Sequence, residues 1–188
     1  MAVTMRQIEA VPETYPEITG LIFPLAEGEG AWIWQRIESY IAHRYTARDV
    51  IWTVEGCGDW TPPLAPAVVT VAHRWDGVDW ITTSLSAGPY GYCLPDGGPY
   101  SITATVGGGD VPAAVMKAAM RLANYLTVRI NSAATQLWAA TSKRQGANVQ
   151  DGSGIINTEN SWQRPKDWAA NAMQLSGAAD LLRPYRRA

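Results

Sequence analysis

The chain has 188 residues, of which 47% are hydrophobic and 17% charged, and a formal net charge of −2. This is enough apolar material for one compact domain, and no apolar run approaches the roughly 20 residues that span a bilayer. The N-terminus lacks the basic-then-apolar order of a signal peptide, so the sequence predicts a protein made in the cytoplasm with no membrane partner.

The two cysteines, Cys57 and Cys93, are far apart in the sequence. They fit a reduced compartment better than a disulfide framework, and a single disulfide remains the alternative.

Charge is divided unevenly along the chain. Residues 1–110 hold 5 Lys and Arg against 13 Asp and Glu, net −8, and residues 111–188 hold 10 against 4, net +6. The two halves are expected to attract different partners, unless their charges intermix and cancel on the folded surface.

The first half of the chain is predicted to be an arm, a helix and a β region. Residues 1–30 are interrupted by proline and glycine, which predicts an N-terminal arm or edge. Apolar residues at helical spacing predict a helix over residues 31–47. Short runs rich in Val, Ile, Thr and Trp, separated by turn residues, predict antiparallel hairpins over residues 50–106.

The second half is predicted to hold the main core element. Asp110 and Pro112 mark a helix start, and an apolar stripe predicts a long helix over residues 111–140. A polar, Gly-containing loop is expected over residues 143–164, followed by an amphipathic segment over residues 165–188. The expected fold class is α+β: a small helical bundle with a long central helix and an antiparallel β-hairpin or meander insertion.

No catalytic or metal-binding motif emerges from the sequence. The histidines and cysteines are scattered, with no spacing suited to a metal, and no Gly-x-Ser-x-Gly elbow is present. The triple glycine at 107–109 precedes a helix but lacks the Lys and Ser/Thr of a phosphate loop. The sequence therefore predicts a protein that is not an enzyme and has no metal or cofactor. A small hydrolase using His43 or His73 is a minor alternative.

Nine tryptophans give the chain many large amphipathic side chains. Such residues usually lie in cores or subunit interfaces, but exposed rings can also stack on sugars. We therefore weigh a carbohydrate-binding module as the alternative function. The candidates for a subunit interface or loop contact are Trp75, Trp80, Trp162 and Trp168.

The order of these elements resembles the head-tail connector, or adaptor, proteins of tailed bacteriophages and gene transfer agents. The match covers roughly residues 31–188. It is carried by Arg44-Tyr45-Thr46-Ala47-Arg48, Pro63-Leu64-Ala65-Pro66, Trp75-Asp76-Gly77, residues 100–109, Asp110-Val111-Pro112 and Leu181-Leu182-Arg183-Pro184-Tyr185-Arg186.

The resemblance implies a head completion protein in the virion neck. Such a protein forms a homo-oligomeric ring, commonly of twelve copies, between the portal protein and the stopper or next tail component. Double-stranded DNA would pass through the ring without sequence-specific binding. The segment implied to dock on the portal comprises Leu181, Leu182, Arg183, Pro184, Tyr185, Arg186 and Arg187.

Overall fold

The architecture comes from a computed structural model, which describes residues 2–127, 143–144, 162–163 and 171–186. The chain divides into two compact units. Unit 1 is formed by Met1–Glu17, Trp34–Val111 and Tyr185–Ala188, and unit 2 by Ile18–Ile33 and Pro112–Pro184.

Unit 1 is built on an antiparallel sheet. The order of its strands across the sheet is β1-β2-β6-β3-β4, with β5 paired to the first part of β6. The strand bounds are β1 Val3–Glu9, β2 Arg48–Trp60, β3 Ala67–Trp75, β4 Trp80–Thr83, β5 Ser86–Gly88 and β6 Gly91–Val106.

One face of this sheet forms the core of unit 1. Cross-strand partners share a face, so Trp52 lies beside Ile102 and Val54 beside Tyr100, and all four side chains are buried. Each large apolar side chain buried in this way contributes about 1.5–3 kcal/mol. The alternation in residues 100–106, with every second residue apolar, is the sequence pattern that places this face inward.

The turn after β6 requires a glycine. Gly107 has a φ of 93°, and a Cβ atom at this position would lie 2.4 Å from the carbonyl oxygen of Thr46. The Gly107 N–H donates to the carbonyl of Pro66 at 3.0 Å. A side chain here would collide with backbone, which cannot move aside as a flexible side chain can.

The two longest described helices overlap the predicted ones. Helix α1 runs over Glu29–Ile41 and ends where Ala42 adopts a left-handed φ of 55°. Helix α2 covers Ala113–Thr127, and residues 128–140 of the predicted long helix lie outside the described residues. The other short elements are β7 Lys143–Arg144 paired with β8 Trp162–Gln163, α3 Ala172–Leu175, α4 Ala178–Leu182 and a 3₁₀ turn Arg183–Tyr185.

The predicted fold class is therefore wrong. The chain is mostly an antiparallel sheet of six strands with a few short helices among its described residues, and is not a helical bundle with a long central helix. The apolar stripe of α2 does exist, because Val115 and Leu122 are buried, but much of that stripe is alanine. Alanine has little surface to remove from water, whereas Trp52 and Tyr100 of the sheet are large and fully buried.

Unit 2 joins α2 to an extended segment and to the last helices. Asn124 on α2 accepts a hydrogen bond from the Ile22 N–H at 2.9 Å, and Glu29 accepts one from the Ala26 N–H at 2.8 Å. Helix α4 contacts α2, and its Leu182 is fully buried. None of the helices in the described ranges is long and apolar enough to cross a membrane.

Candidate assembly surfaces

Three buried charged side chains and the half-buried Glu9 connect β1, α1 and β2 in unit 1. Arg48 places Nη2 2.8 Å from Glu38 Oε2 and Nη1 3.1 Å from Glu9 Oε1. Arg44 places Nε 2.5 Å from Glu9 Oε1 and donates from Nη1 to the backbone carbonyl of Glu38 at 2.7 Å. Glu38 also accepts a hydrogen bond from the Tyr45 N–H at 2.8 Å. We call Glu9, Glu38, Arg44 and Arg48 the charge cluster.

The charge cluster is neutral in sum and deeply placed. The side chains of Arg48 and Glu38 are only 4% and 1% exposed. Burial raises the pKa of Glu9, but hydrogen bonds and positive charge from Arg44 and Arg48 outweigh burial and hold that pKa below its usual value. A cleft of about 240 Å³ opens onto the cluster. Its charges already satisfy one another, so the arrangement is suited to fastening three elements rather than to holding a charged ligand.

The end of the chain lies against the first helix of unit 1. The Arg186 guanidinium lies over the Tyr40 ring, 5.4 Å from its centroid. Burial, together with the proximity of Tyr185 and Glu38, raises the pKa of Tyr45 to about 12.

Residues of the predicted portal-docking segment differ in exposure. Leu182 is buried, and Leu181 and Tyr185 are half-buried. Arg183, Pro184 and Arg186 are exposed, and Arg187 lies outside the described residues. Any contact with a partner would therefore use the exposed subset, while Leu182 holds α4 in place.

Two of the predicted interface tryptophans meet at the β3–β4 hairpin. Trp75 and Trp80 face each other across the two strands, with ring centroids 5.4 Å apart at 61°. The loop between the strands is fixed because Asp76 Oδ1 accepts hydrogen bonds from the Val78 and Asp79 N–H groups, both at 2.8 Å. These two backbone hydrogen bonds also lower the pKa of Asp76.

Three of the other described tryptophans are buried, whereas Trp32 is 47% exposed. Trp34, Trp52 and Trp60 are buried, and the indole N–H groups of the last two donate to Gln7 and Thr4 at 2.9 Å. At the hairpin Trp80 is exposed, Trp75 is half-buried and the two rings meet edge to face, whereas a sugar ring needs an accessible flat face. Of the other two candidates, Trp162 lies in β8 and Trp168 lies outside the described residues.

The polar residues considered for chemistry are dispersed. The His43 ring contacts the Tyr45 ring at 4.6 Å, while His73 lies on β3 opposite Ser101 and Thr82. Cys57 and Cys93 are free and exposed. In the part of the chain that the structure describes, no group of three or more His, Cys, Asp or Glu is placed to hold a metal ion.

The second face of the sheet, which sequence reasoning did not identify as a candidate surface, is partly apolar and open. Ile8, Ile51 and Val68 are 48%, 40% and 66% exposed, and Val71 is half-buried. The available signal was the uninterrupted apolar run Val50-Ile51-Trp52, since strands covered on both faces read as continuous apolar runs.

Comparison with known proteins shows the fold. No family model matches the chain, and no curated protein matches it. A chain in the structure "Virion of native gene transfer agent (GTA) particle" is similar at 17% identity and a TM-score of 0.53. A chain in "Neck of empty GTA particle computed with C6 symmetry" is similar at 18% identity and a TM-score of 0.54. Each alignment covers 100% of this chain and 96% of the other. The chain shares its fold with components of gene transfer agent particles.

Proposed function

We propose that the chain is a structural virion protein of the neck, a head-tail connector or adaptor that forms a ring between the portal and the next tail component. The observation that carries this proposal is the fold shared with a chain of a GTA neck, aligned over all of this chain and 96% of that one. The alignment spans nearly the whole of both chains, so the likeness extends over the complete fold and is not confined to one small motif.

The surface chemistry supports a role in assembly. The described residues include an exposed aromatic hairpin, an open apolar sheet face and exposed arginines at the end of the chain. Exposed apolar surface of this kind is typical of proteins that are covered by partners. The charge cluster supplies rigidity and offers no unpaired charge for binding a substrate.

Copy number and DNA passage follow from the same proposal. A ring of twelve copies is compatible with the sixfold symmetry with which the similar neck was computed. Residues 1–110, with a net charge of −8, would repel the DNA backbone and let it slide without sequence-specific contact.

The portal contact is assigned to residues 165–188, with the exposed Arg183, Pro184 and Arg186 as its contact groups. The Arg183 side chain is 81% exposed and is joined to Asp180 by an exposed ion pair of 3.3 Å. Because an exposed pair of this type contributes at most about 1 kcal/mol, Arg183 is free to exchange Asp180 for an acidic partner.

A charge-reversal experiment tests the portal contact. The variant Arg183→Glu with Arg186→Glu is mixed with the portal protein of its own particle, and binding is followed by native electrophoresis and electron microscopy. Reversing these two exposed charges should weaken binding to the portal about tenfold or more, which is equivalent to about 1.4 kcal/mol of binding free energy. The matched control reverses Lys117 and Arg121, both exposed on α2, and should retain binding.

Two results would count against the proposal. If the Arg183 and Arg186 variant binds the portal as well as the unaltered protein does, residues 165–188 do not dock on the portal through these arginines. Failure of the unaltered protein to bind the portal or to form rings in its presence would remove the connector role itself.

A further inference from the structure

The open face of the sheet carries a row of apolar side chains interrupted by one threonine. The register places Ile8 beside Ile51, Ile51 beside Thr103, and Thr103 beside Val71, so the row crosses β1, β2, β6 and β3. Val68 lies in the adjacent row, beside Thr105. Four strands about 4.8 Å apart and about seven residues long make a face of roughly 19 by 23 Å. Ile8 and Ile51 are direct neighbours in this row, unlike singly scattered apolar residues, which need no partner.

The β3–β4 hairpin, at the edge of the sheet opposite β1, presents a second and different apolar surface. Val78 and Ile81 are 76% and 50% exposed. The hairpin is held in one shape by the Trp75–Trp80 ring contact and by the Asp76 hydrogen bonds in its loop. A preformed shape lowers the entropic cost of binding, so this hairpin is suited to insertion into a partner.

Both surfaces carry exposed charged side chains, with Arg6, Asp49 and Glu55 on the open face. Arg6 is exposed on β1, beside Thr53 on the open face, and no ion pair joins it to another of the described residues. The hairpin loop carries the exposed carboxylates of Asp76 and Asp79. A hairpin laid on the open face of a neighbour with its loop at Arg6 would pair the loop carboxylates with this guanidinium.

We propose that the open sheet face of one copy receives the β3–β4 hairpin of the next copy in the ring. This inference rests on the proposed function, because a closed ring of identical chains needs two different complementary surfaces on each chain. The face is wide enough for a two-stranded ribbon, which is about 10 Å across. It is smaller than the roughly 800 Å² per partner of a standard interface, so the hairpin contact forms one part of the subunit boundary.

Cysteine cross-linking tests this arrangement. Cys57 and Cys93 are first replaced by serine, and Ile51→Cys and Val78→Cys are then introduced together into one chain. Assembly with the portal, followed by a short bifunctional thiol reagent, should give a ladder of covalent multimers, because each copy links to the next. When each cysteine is introduced alone, the chains should remain uncross-linked. The control pair Val11→Cys with Val78→Cys should give no ladder, since Val11 is exposed but lies outside the sheet.

A charge swap provides a second measurement. Arg6→Asp alone should reduce ring formation, and so should Asp79→Arg alone, whereas the two together should restore it. Circular dichroism establishes that the variants remain folded, as expected from the exposure of both side chains.

The outcomes separate this inference from the proposed function. Rings without a cross-linked ladder would overturn the hairpin contact and leave the connector role standing. Covalent dimers from the Ile51→Cys chain alone would also overturn it, because they would indicate that two open faces pack together. Absence of both rings and portal binding for the unaltered protein would overturn the connector role, and the hairpin contact with it.

Discussion

Replacing Arg48 by methionine is expected to destabilise unit 1 strongly. Methionine keeps much of the aliphatic volume but removes the positive charge that faces Glu38 and Glu9 at 2.8 and 3.1 Å. The Glu38 carboxylate, 1% exposed, would lose its ion-pair partner while keeping the hydrogen bond from the Tyr45 N–H. Removing one member of a buried pair costs about 3–5 kcal/mol, because the other charge stays out of water without compensation.

Thermal and urea denaturation measure this cost. For a chain of this length, 3–5 kcal/mol corresponds to a fall in Tm of roughly 6–20 °C. Adding Glu38→Gln removes the carboxylate charge left unpaired by the loss of Arg48 but keeps an acceptor for the Tyr45 N–H. The double variant should therefore recover about 1–3 kcal/mol of the lost free energy of unfolding. The matched control is Arg74→Met, whose ion pair with Asp96 is at the surface and should cost less than about 1 kcal/mol.

Equal effects of the two arginine variants would refute this reasoning. They would mean that burial does not decide the value of the ion pair. A double variant less stable than Arg48→Met alone would also refute it, because an uncompensated carboxylate could not then be the source of the cost.

Three further predictions concern pH and the turn after β6. Because the pKa of Glu9 is lower in the folded state, its stabilising contribution is present above the unfolded value of about 4.3 and is lost as the pH falls through the folded pKa. Glu9→Gln should therefore flatten the acid limb of the stability curve measured by urea denaturation, and an unchanged limb would contradict this. Because the pKa of Tyr45 is raised to about 12, its contribution is present below pH of about 10 and is lost as the pH rises towards 12. Tyr45→Phe should be less sensitive to alkali, and equal sensitivity would count against the assignment. Gly107→Ala should cost about 3 kcal/mol or more, because its Cβ meets the Thr46 carbonyl. Gly108→Ala, with a φ of 102° and open space, should cost only about 1–2 kcal/mol, and a reversed order would be inconsistent with the collision.

Local patterns in the sequence identified strand segments but not the architecture. The alternation of residues 100–106 places Ile102, Ala104 and Val106 on one face, and the structure buries all three. The pairing of β1 with β2 could not be read in the same way, because partners such as Gln7 and Trp52 are 45 residues apart. Period-2 alternation indicates a strand, but it does not indicate which strand lies beside it.

The error in fold class has a physical origin in helix α2. Its repeat is regular, but Ala118, Ala119 and Ala123 occupy much of the buried stripe. A periodicity argument counts these residues like leucine, although each removes far less surface from water. The long strands β2 and β6, with 13 and 16 residues, contribute the larger buried side chains.

The candidate site was predictable only in part. The aromatic hairpin could be identified because Trp75 and Trp80 flank a turn signal, and the structure brings their rings into contact. The charge cluster gave no local signal, since Glu9 is 35 residues from Arg44 and 39 from Arg48. The position of Glu38 directly after the buried Ile37 was the one hint that a carboxylate would be drawn inside.

Unit 1 is assembled from segments that are far apart in the sequence, and this affects how it folds during synthesis. Strand β1 is made before its partner β2, which is complete only when residue 60 has been made, so β1 stays unpaired until then. Strand β2 in turn waits for β6, which ends at Val106. Tyr185 and Arg186, which lie near Tyr45 and Tyr40, are made only after residues 112–184 of unit 2. The contacts of unit 1 are therefore completed only after unit 2 has been translated.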